Sequence, residues 1–208
     1  VGLQLLENAA ATALGLYVLI VVLAPVSGAH FNPIVSLVDA ALGFRTWRDV
    51  ASYLPAQIAG CVSGAVLANT MFGLPAITMS TKGRLTEPHL VAEVVATAGL
   101  VLVIFALART GRGELAPAAV AAYIGSAYFF TSSTSFANPA ITIGRMFTDT
   151  FAGVDPGSAT GYIGAQLVGG ALGLLLVRAL HPGHSPAAPD HLGAAASTPL
   201  RQFSEGKA

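Results

Sequence analysis

Apolar residues fall in long windows along this chain, and short polar stretches separate them. A bilayer core of about 30 Å takes roughly 20 apolar residues in helical form. By that measure five windows read as membrane spans: Leu3 to Val26, Ser52 to Phe72, Leu90 to Ala108, Pro117 to Phe130 and Tyr162 to Leu180. The stretches "FRTWRD", "LPAITMSTKGRLTEPH", "RTGRGE" and "TDTFAGVDPGS" between them hold most of the charges and the turn-forming Gly and Pro, so they read as loops. Beyond residue 180, "HPGHSPAAPDHLGAAASTPLRQFSEGKA" has no apolar period and reads as a disordered tail. The expected fold class is an all-α membrane protein, with one helical domain over residues 1–180 and a tail over 181–208.

Two further apolar runs are too short to span. One is Asn32 to Gly43, from "GAHFNPIVSL"; the other is Asn138 to about Phe147, from "SFANPAITIG". Ten or twelve residues reach only about 15 to 18 Å, half a bilayer core. Asn is a favoured N-cap and Pro a favoured first helical residue, so each Asn-Pro writes a helix start. The non-helical backbone before them, Ser27 to Phe31 and Thr131 to Ala137, is tolerated at membrane depth only where it is buried in protein or lines a wet cavity. Two such half-helices point to a pore or a substrate site.

The chain also repeats itself. "FNPIVS" recurs as "ANPAIT" at an offset of 106, and "YLPAQIAGCVSG" recurs as "YIGAQLVGGALG" at an offset of 109. Tyr53 matches Tyr162, Gln57 matches Gln166, and Gly60 and Gly64 match Gly169 and Gly173. Halves with an odd number of spans insert in opposite orientations, which sets the two half-helices tip to tip near the midplane. Both copies end in Gly-xxx-Gly, which allows close helix approach.

Composition narrows the function classes. Of the 208 residues, 54% are hydrophobic and 10% charged, with a mean hydropathy of +0.69; a soluble domain carries about 25% charged residues. Net charge is zero and no basic cluster occurs, so no nucleic-acid partner is expected. Cys61 is the single cysteine, and His181, His184 and His191 are spread along the tail, so neither a metal site nor a cofactor is expected. An enzyme is not expected either, since no phosphate loop or nucleophile elbow is found. A secondary transporter coupling solute to an ion is the rival class, because it too uses broken helices. It would place carboxylates near the breaks, and no acid lies within six residues of Asn32 or Asn138. The first residue is Val1, with no basic n-region after it, so a longer gene product is expected.

"SGAHFNPIVSL" and "FANPAITIGR" resemble the paired Asn-Pro-Ala boxes of the major intrinsic proteins, the aquaporins and aquaglyceroporins, and the likeness covers about residues 1–180. The resemblance implies an aquaporin-like inverted repeat in a cell membrane, assembled as a homotetramer in the lipid bilayer, passing small neutral solutes passively. Relatives have six spans and two half-helices. Glu93 lies 45 residues before Asn138 but Glu7 only 25 before Asn32, which leaves room for one span rather than two. This chain is therefore expected to carry the second to sixth spans.

The resemblance also implies roles. The boxes are Asn32, Pro33 and Ile34, then Asn138, Pro139 and Ala140, with Ile34 bulkier than the usual Ala. Each Asn amide N–H is expected to donate to a passing solute, although capping alone is the plainer role. The converging half-helix dipoles oppose cations and protons. Counting from the boxes puts the selectivity filter at Thr12, Ser126, Ser135 and Ile141, where water-selective relatives have Arg at the last position and His or aromatic rings nearby. A wide, weakly polar filter follows, similar to that of the bacterial aquaglyceroporin-like channels associated with arsenic resistance. Arg145, one turn beyond Ile141, either returns a guanidinium to the opening or meets a headgroup or Asp149. Glu93, Gln57 and Gln166 are expected to brace the re-entrant loops. His30 either lines the vestibule or bonds loop backbone, and Trp47 and Tyr53 suit an interfacial belt. Arg45, Arg48, Arg109, Arg112 and Arg178 would face the cytoplasm by the positive-inside rule, and the tail with them.

Overall fold

The computed structural model describes residues 1–182; the tail assigned above lies outside the described residues, apart from His181 and Pro182. Seven α-helices follow one another: α1 Gly2–Ser27, α2 Pro33–Ala41, α3 Trp47–Met71, α4 Glu87–Arg109, α5 Ala116–Phe130, α6 Pro139–Gly144 and α7 Pro156–Leu180. Among the described residues four of them, α1, α3, α4 and α7, are long and apolar enough to cross a membrane. The fifth predicted span is shorter than the others: α5 has 15 residues, preceded by a 3₁₀ turn at Gly113–Leu115. It ends at Phe130 because the chain turns there into a re-entrant loop.

Three of the long helices start where side chains satisfy orphan N–H groups of the first turn. Thr46 and Asp49 form a reciprocal capping box on α3, Thr86 caps α4, and Asp155 caps α7. Gly28 ends α1 with φ +82°, a left-handed conformation that glycine takes without a Cβ penalty.

Packing follows the sequence repeat. α4 lies along both α7 and α5, and α1 lies along α5. The half-helix of each repeat crosses to the other one's last span. An added Cβ at Gly170 of α7 would sit 2.6 Å from Ile34 of α2, and one at Gly144 of α6 would sit 2.7 Å from the Cys61 carbonyl of α3. Ile34 is therefore buried at a helix crossing, 2% exposed, rather than facing a pore, and Gly170 is the residue that makes room for it.

Two ends of the bundle are distinguished by their ties. At one, Arg178 donates to the Ala41 carbonyl and Arg109 to the His181 carbonyl. At the other, the α3–α4 loop is held to the α6–α7 loop. Thr81 N–H donates to Asp149 at 3.0 Å, Ser80 N–H to the Met146 carbonyl, and the Arg84 guanidinium to the Gly153 and Phe151 carbonyls. The Thr81 N–H most of all, with the Thr81 hydroxyl, the Lys82 charge and the Ser80 hydroxyl, holds the Asp149 carboxyl below the usual carboxylate range.

Candidate functional site

The half-helices α2 and α6 meet by their N-termini. The Asn32 side-chain oxygen accepts from Ile34 N–H at 3.0 Å, and that of Asn138 accepts from Ala140 and Ile141 N–H at 2.9 and 3.2 Å. Each amide nitrogen then reaches across the junction: Asn32 Nδ2 donates to the Ala137 carbonyl and Asn138 Nδ2 to the Phe31 carbonyl, both at 2.8 Å. From the sequence, each Asn amide N–H is expected to be free for a passing solute. One on each side is spent on the opposite loop, because the tips touch, and a second hydrogen per amide remains for another acceptor.

The loops leading to the tips are strained. Ala29, Phe31, Thr134, Ser135 and Ala137 all have positive φ, each costing on the order of 1–3 kcal/mol. In the second loop, Glu93 of α4 holds that shape. Fully buried, it accepts from Ser133 Oγ at 2.6 Å, Phe136 N–H at 2.9 Å, Ala137 N–H at 2.8 Å and Gln166 Nε2 at 2.7 Å. An intramembrane carboxylate is expensive unless its lone pairs are filled, and four donors fill them. Gln166 passes the link on to Thr142 of α6.

In the first loop, Gln57 Nε2 donates to Ser36 Oγ at 3.0 Å, as Gln166 does to Thr142. His30 meets side chains rather than loop backbone: Ser36 Oγ lies 2.9 Å from Nδ1, and Asp39 Oδ2 3.4 Å from Nε2. Asp39 is also bonded by Arg45 Nε at 3.0 Å. Arg45 in turn covers the Tyr53 ring, 4.5 Å from its centroid. Tyr53 therefore stacks inward on His30 and Arg45 and donates to the Ser27 carbonyl, whereas Trp47 is exposed.

Of the four positions counted as a filter, Ile141 alone lines the main cavity. His30, Gln57 and Arg145 line it as well. Ser126 is exposed and its hydroxyl returns to the Tyr123 carbonyl of its own helix. Ser135 is 3% exposed, and its hydroxyl finds no partner among the described residues. Thr12 Oγ1 lies 3.0 Å from the hydroxyl of Tyr128, a buried residue that counting from the boxes missed. Arg145 donates to that same hydroxyl at 2.7 Å and lies over the Phe136 ring at 4.3 Å. The Tyr128 hydroxyl donates in turn to Asn8 Oδ1 at 3.2 Å. The guanidinium is thus fixed beside Ile141 by an aromatic face and a phenol, and Asp149 is engaged elsewhere. Tyr128 is one of two tyrosines in α5, the other being Tyr123, so the sequence alone does not single it out.

A cavity of about 1360 Å³ runs the length of the bundle between α1 and α3, from Ser52 and Tyr53 at one end to Thr150 and Phe151 at the other. Ala56, Gly60 and Gly64 of α3 form one wall, and Gln4, Glu7 and Asn8 line part of the other.

Comparison with known proteins agrees with this geometry. The family model described as "Major intrinsic protein" matches residues 2–137. Aquaglyceroporin AqpS of Rhizobium meliloti (strain 1021) is 48% identical over 177 residues, 85% of this chain and 76% of the relative. Probable aquaporin NIP7-1 of Arabidopsis thaliana is 27% identical over 200 residues, 89% of this chain and 70% of that protein. Aquaporin NIP1-3 of Oryza sativa subsp. japonica is 36% identical over a shorter stretch, 57% of this chain and 44% of the relative. With its inverted repeat, its capped half-helices and these matches, the chain belongs to the major intrinsic protein family.

Proposed function

We propose that this member of the family, a passive membrane channel for small neutral solutes such as glycerol and water, has a wide filter in which Arg145 replaces the arginine absent at Ile141. Metalloid acids and glycerol-sized molecules would then pass beside Arg145, Tyr128, Thr12 and Ile141. The observation that carries this reading is Arg145 itself, donating to Tyr128 at 2.7 Å and lining the cavity with Ile141. A pinned guanidinium repels cations and still offers N–H groups to a neutral oxygen. The remaining hydrogen on each of Asn32 and Asn138 offers the next donors at the midpoint.

In this reading residues 1–180 form the channel domain, the chain carries out no reaction, and it sits in a bacterial inner membrane with Arg45, Arg109 and the tail on the cytoplasmic side. Four copies assemble, one pore in each. Reconstitution into liposomes tests the function: glycerol or an arsenous-acid gradient should drive swelling with no second ion present, while a potassium-flux control stays at background. Swelling by water alone would reject the wide filter, and dependence on a sodium or proton gradient would favour a coupled transporter.

A further inference from the structure

We propose that an apolar slot between α2, α3 and α7 seats one acyl chain of an anionic phospholipid, whose phosphate is held at the slot's mouth by Arg178 and Arg48. The slot has a volume of about 190 Å³. Its back is the half-helix α2, at Ile34, Val38 and Ala41, and its sides are Gly170 and Leu174 of α7 and Trp47 of α3. None of its lining residues lines the large cavity, so its occupant lies off the solute path and the inference does not depend on which solute permeates.

Residue spacing makes the slot. Leu167, Gly170, Ala171 and Leu174 form one stripe of α7 that extends about 10 Å along the helix, and the facing stripe of α2 is equally apolar. The small α7 residues sit opposite Ile34: an added Cβ at Gly170 would lie 2.6 Å from it. α3 also rests on α2 but does not pack along α7. The slot is therefore open on its outer side, where Leu167 is 50% and Trp47 61% exposed.

The lining decides what fits. An apolar cavity of this kind holds no water, and no hydroxyl, amide or charged side chain among the lining residues would bind a polar solute. A partner's spanning helix, about 10–12 Å across with its side chains, is too wide. The volume also falls below the about 300–1,000 Å³ of sites for drug-sized ligands, so a single aliphatic chain is what remains. The mouth decides the headgroup. Arg178, exposed and one turn beyond Leu174, donates to the Ala41 carbonyl at 3.0 Å, which leaves its other N–H groups for a further acceptor. Arg48 follows Trp47 at the start of α3 and is exposed as well. Neither has an acid partner among the described residues, since Asp39 is paired with Arg45 and Asp49 with its cap Thr46. Guanidinium groups give a phosphate matched N–H donors, and an indole suits the interface between headgroup and chain. A zwitterionic headgroup would bring its own cation against the two arginines; an anionic one does not.

Trp47 is the sole tryptophan and lines the slot, so its fluorescence reports occupancy without any flux measurement. The test uses the 208-residue chain in vesicles of phosphatidylcholine and phosphatidylglycerol, with bromine on the chains of one lipid or the other as a quencher. Brominated phosphatidylglycerol should be favoured over brominated phosphatidylcholine at least about fivefold, the ratio expected for one arginine near a charged headgroup. Arg178→Gln should lower that preference by about the same factor. Ala171→Leu fills the slot from its exposed side, so it should remove the preference with both arginines in place and leave the helical circular dichroism unchanged. If that variant fails to fold, Arg178→Gln decides alone. Equal quenching by the two lipids, a preference that survives either substitution, or its displacement by inorganic phosphate would each overturn the proposal. So would a Trp47 shielded from both lipids, as a second copy of the chain seated there would leave it. Swelling assays address the channel reading separately, so either can fail alone.

Discussion

Arg145 lies one helical turn beyond Ile141 and is held from several sides. Its carbonyl accepts from Val154 N–H, its guanidinium stacks on Phe136, and the Tyr128 hydroxyl accepts a hydrogen bond from it. Replacing it with leucine removes the cation but keeps the bulk, so glycerol swelling should persist while potassium leak rises above the liposome background. Unchanged ion rejection would assign the exclusion to the half-helix dipoles alone. Ile141→Arg should act the other way. It adds a second guanidinium beside the first, narrows the opening and repels Arg145, so glycerol permeability should fall about tenfold or more, an effect of roughly 1.4 kcal/mol on the barrier. Water swelling should change much less.

At the scale of elements, the re-entrant loops are where strain is stored and where its restraint can be removed. Glu93→Ala strands the donors of Ser133, Phe136, Ala137 and Gln166 in a buried site. Each buried donor left unsatisfied costs about 1–3 kcal/mol. The thermal unfolding midpoint in detergent should drop, and amide exchange should accelerate over residues 131–138 before it does in α1. The loop clasp at the other end of the bundle should respond to acid. The Asp149 pKa is depressed in the folded chain, so its stabilisation is complete above the ordinary value of 3.8 and is lost as pH falls through the lower folded value. Proteolysis of the Pro75–Arg84 segment should therefore increase only under strongly acidic conditions. Asp149→Asn should reproduce the increase at neutral pH; if it does not, the Ser80 and Thr81 contacts are not what holds the loop.

For the whole molecule, the two halves present the same backbone with opposite side chains. Asp39 near the end of α2 corresponds to Arg145 just after α6, and His30 corresponds to Phe136. One approach to the tips is thus lined by His30, Asp39 and Arg45, and the other by an arginine on an aromatic ring. The exposed apolar residues of α7, among them Leu167, Val168 and Leu175, give the bundle faces for lipid or for other copies. Native mass measurement of the detergent-extracted protein is expected to give a tetramer; monomers at all concentrations would remove that part of the reading.

By itself the sequence determined the elements. Hydropathy and helix capping depend on neighbours within a few residues, so four long spans overlap where the pattern put them, with starts shifted by up to about a turn and a half in α3 and α7, and both Asn-Pro starts fall in place. The repeat also made the inverted pairing of α2 and α6 legible, since duplicated segments pack alike. What only the tertiary structure decided was which side chains meet. Thr12, Tyr128 and Arg145 come from three elements and up to 133 positions apart, and the chain after Gly144 tightens from α to 3₁₀, which changes the angle at which Arg145 leaves the axis. Counting along a helix cannot follow such a change. Ser126 and Tyr128 lie two positions apart and so point to different sides of α5, and it is the contact of α5 with α1 that brings the phenol, rather than the serine, against Thr12 and Arg145. The Asn amides depended on packing too: one hydrogen of each is used only because the two half-helix tips touch, and no local rule along the chain contains that distance.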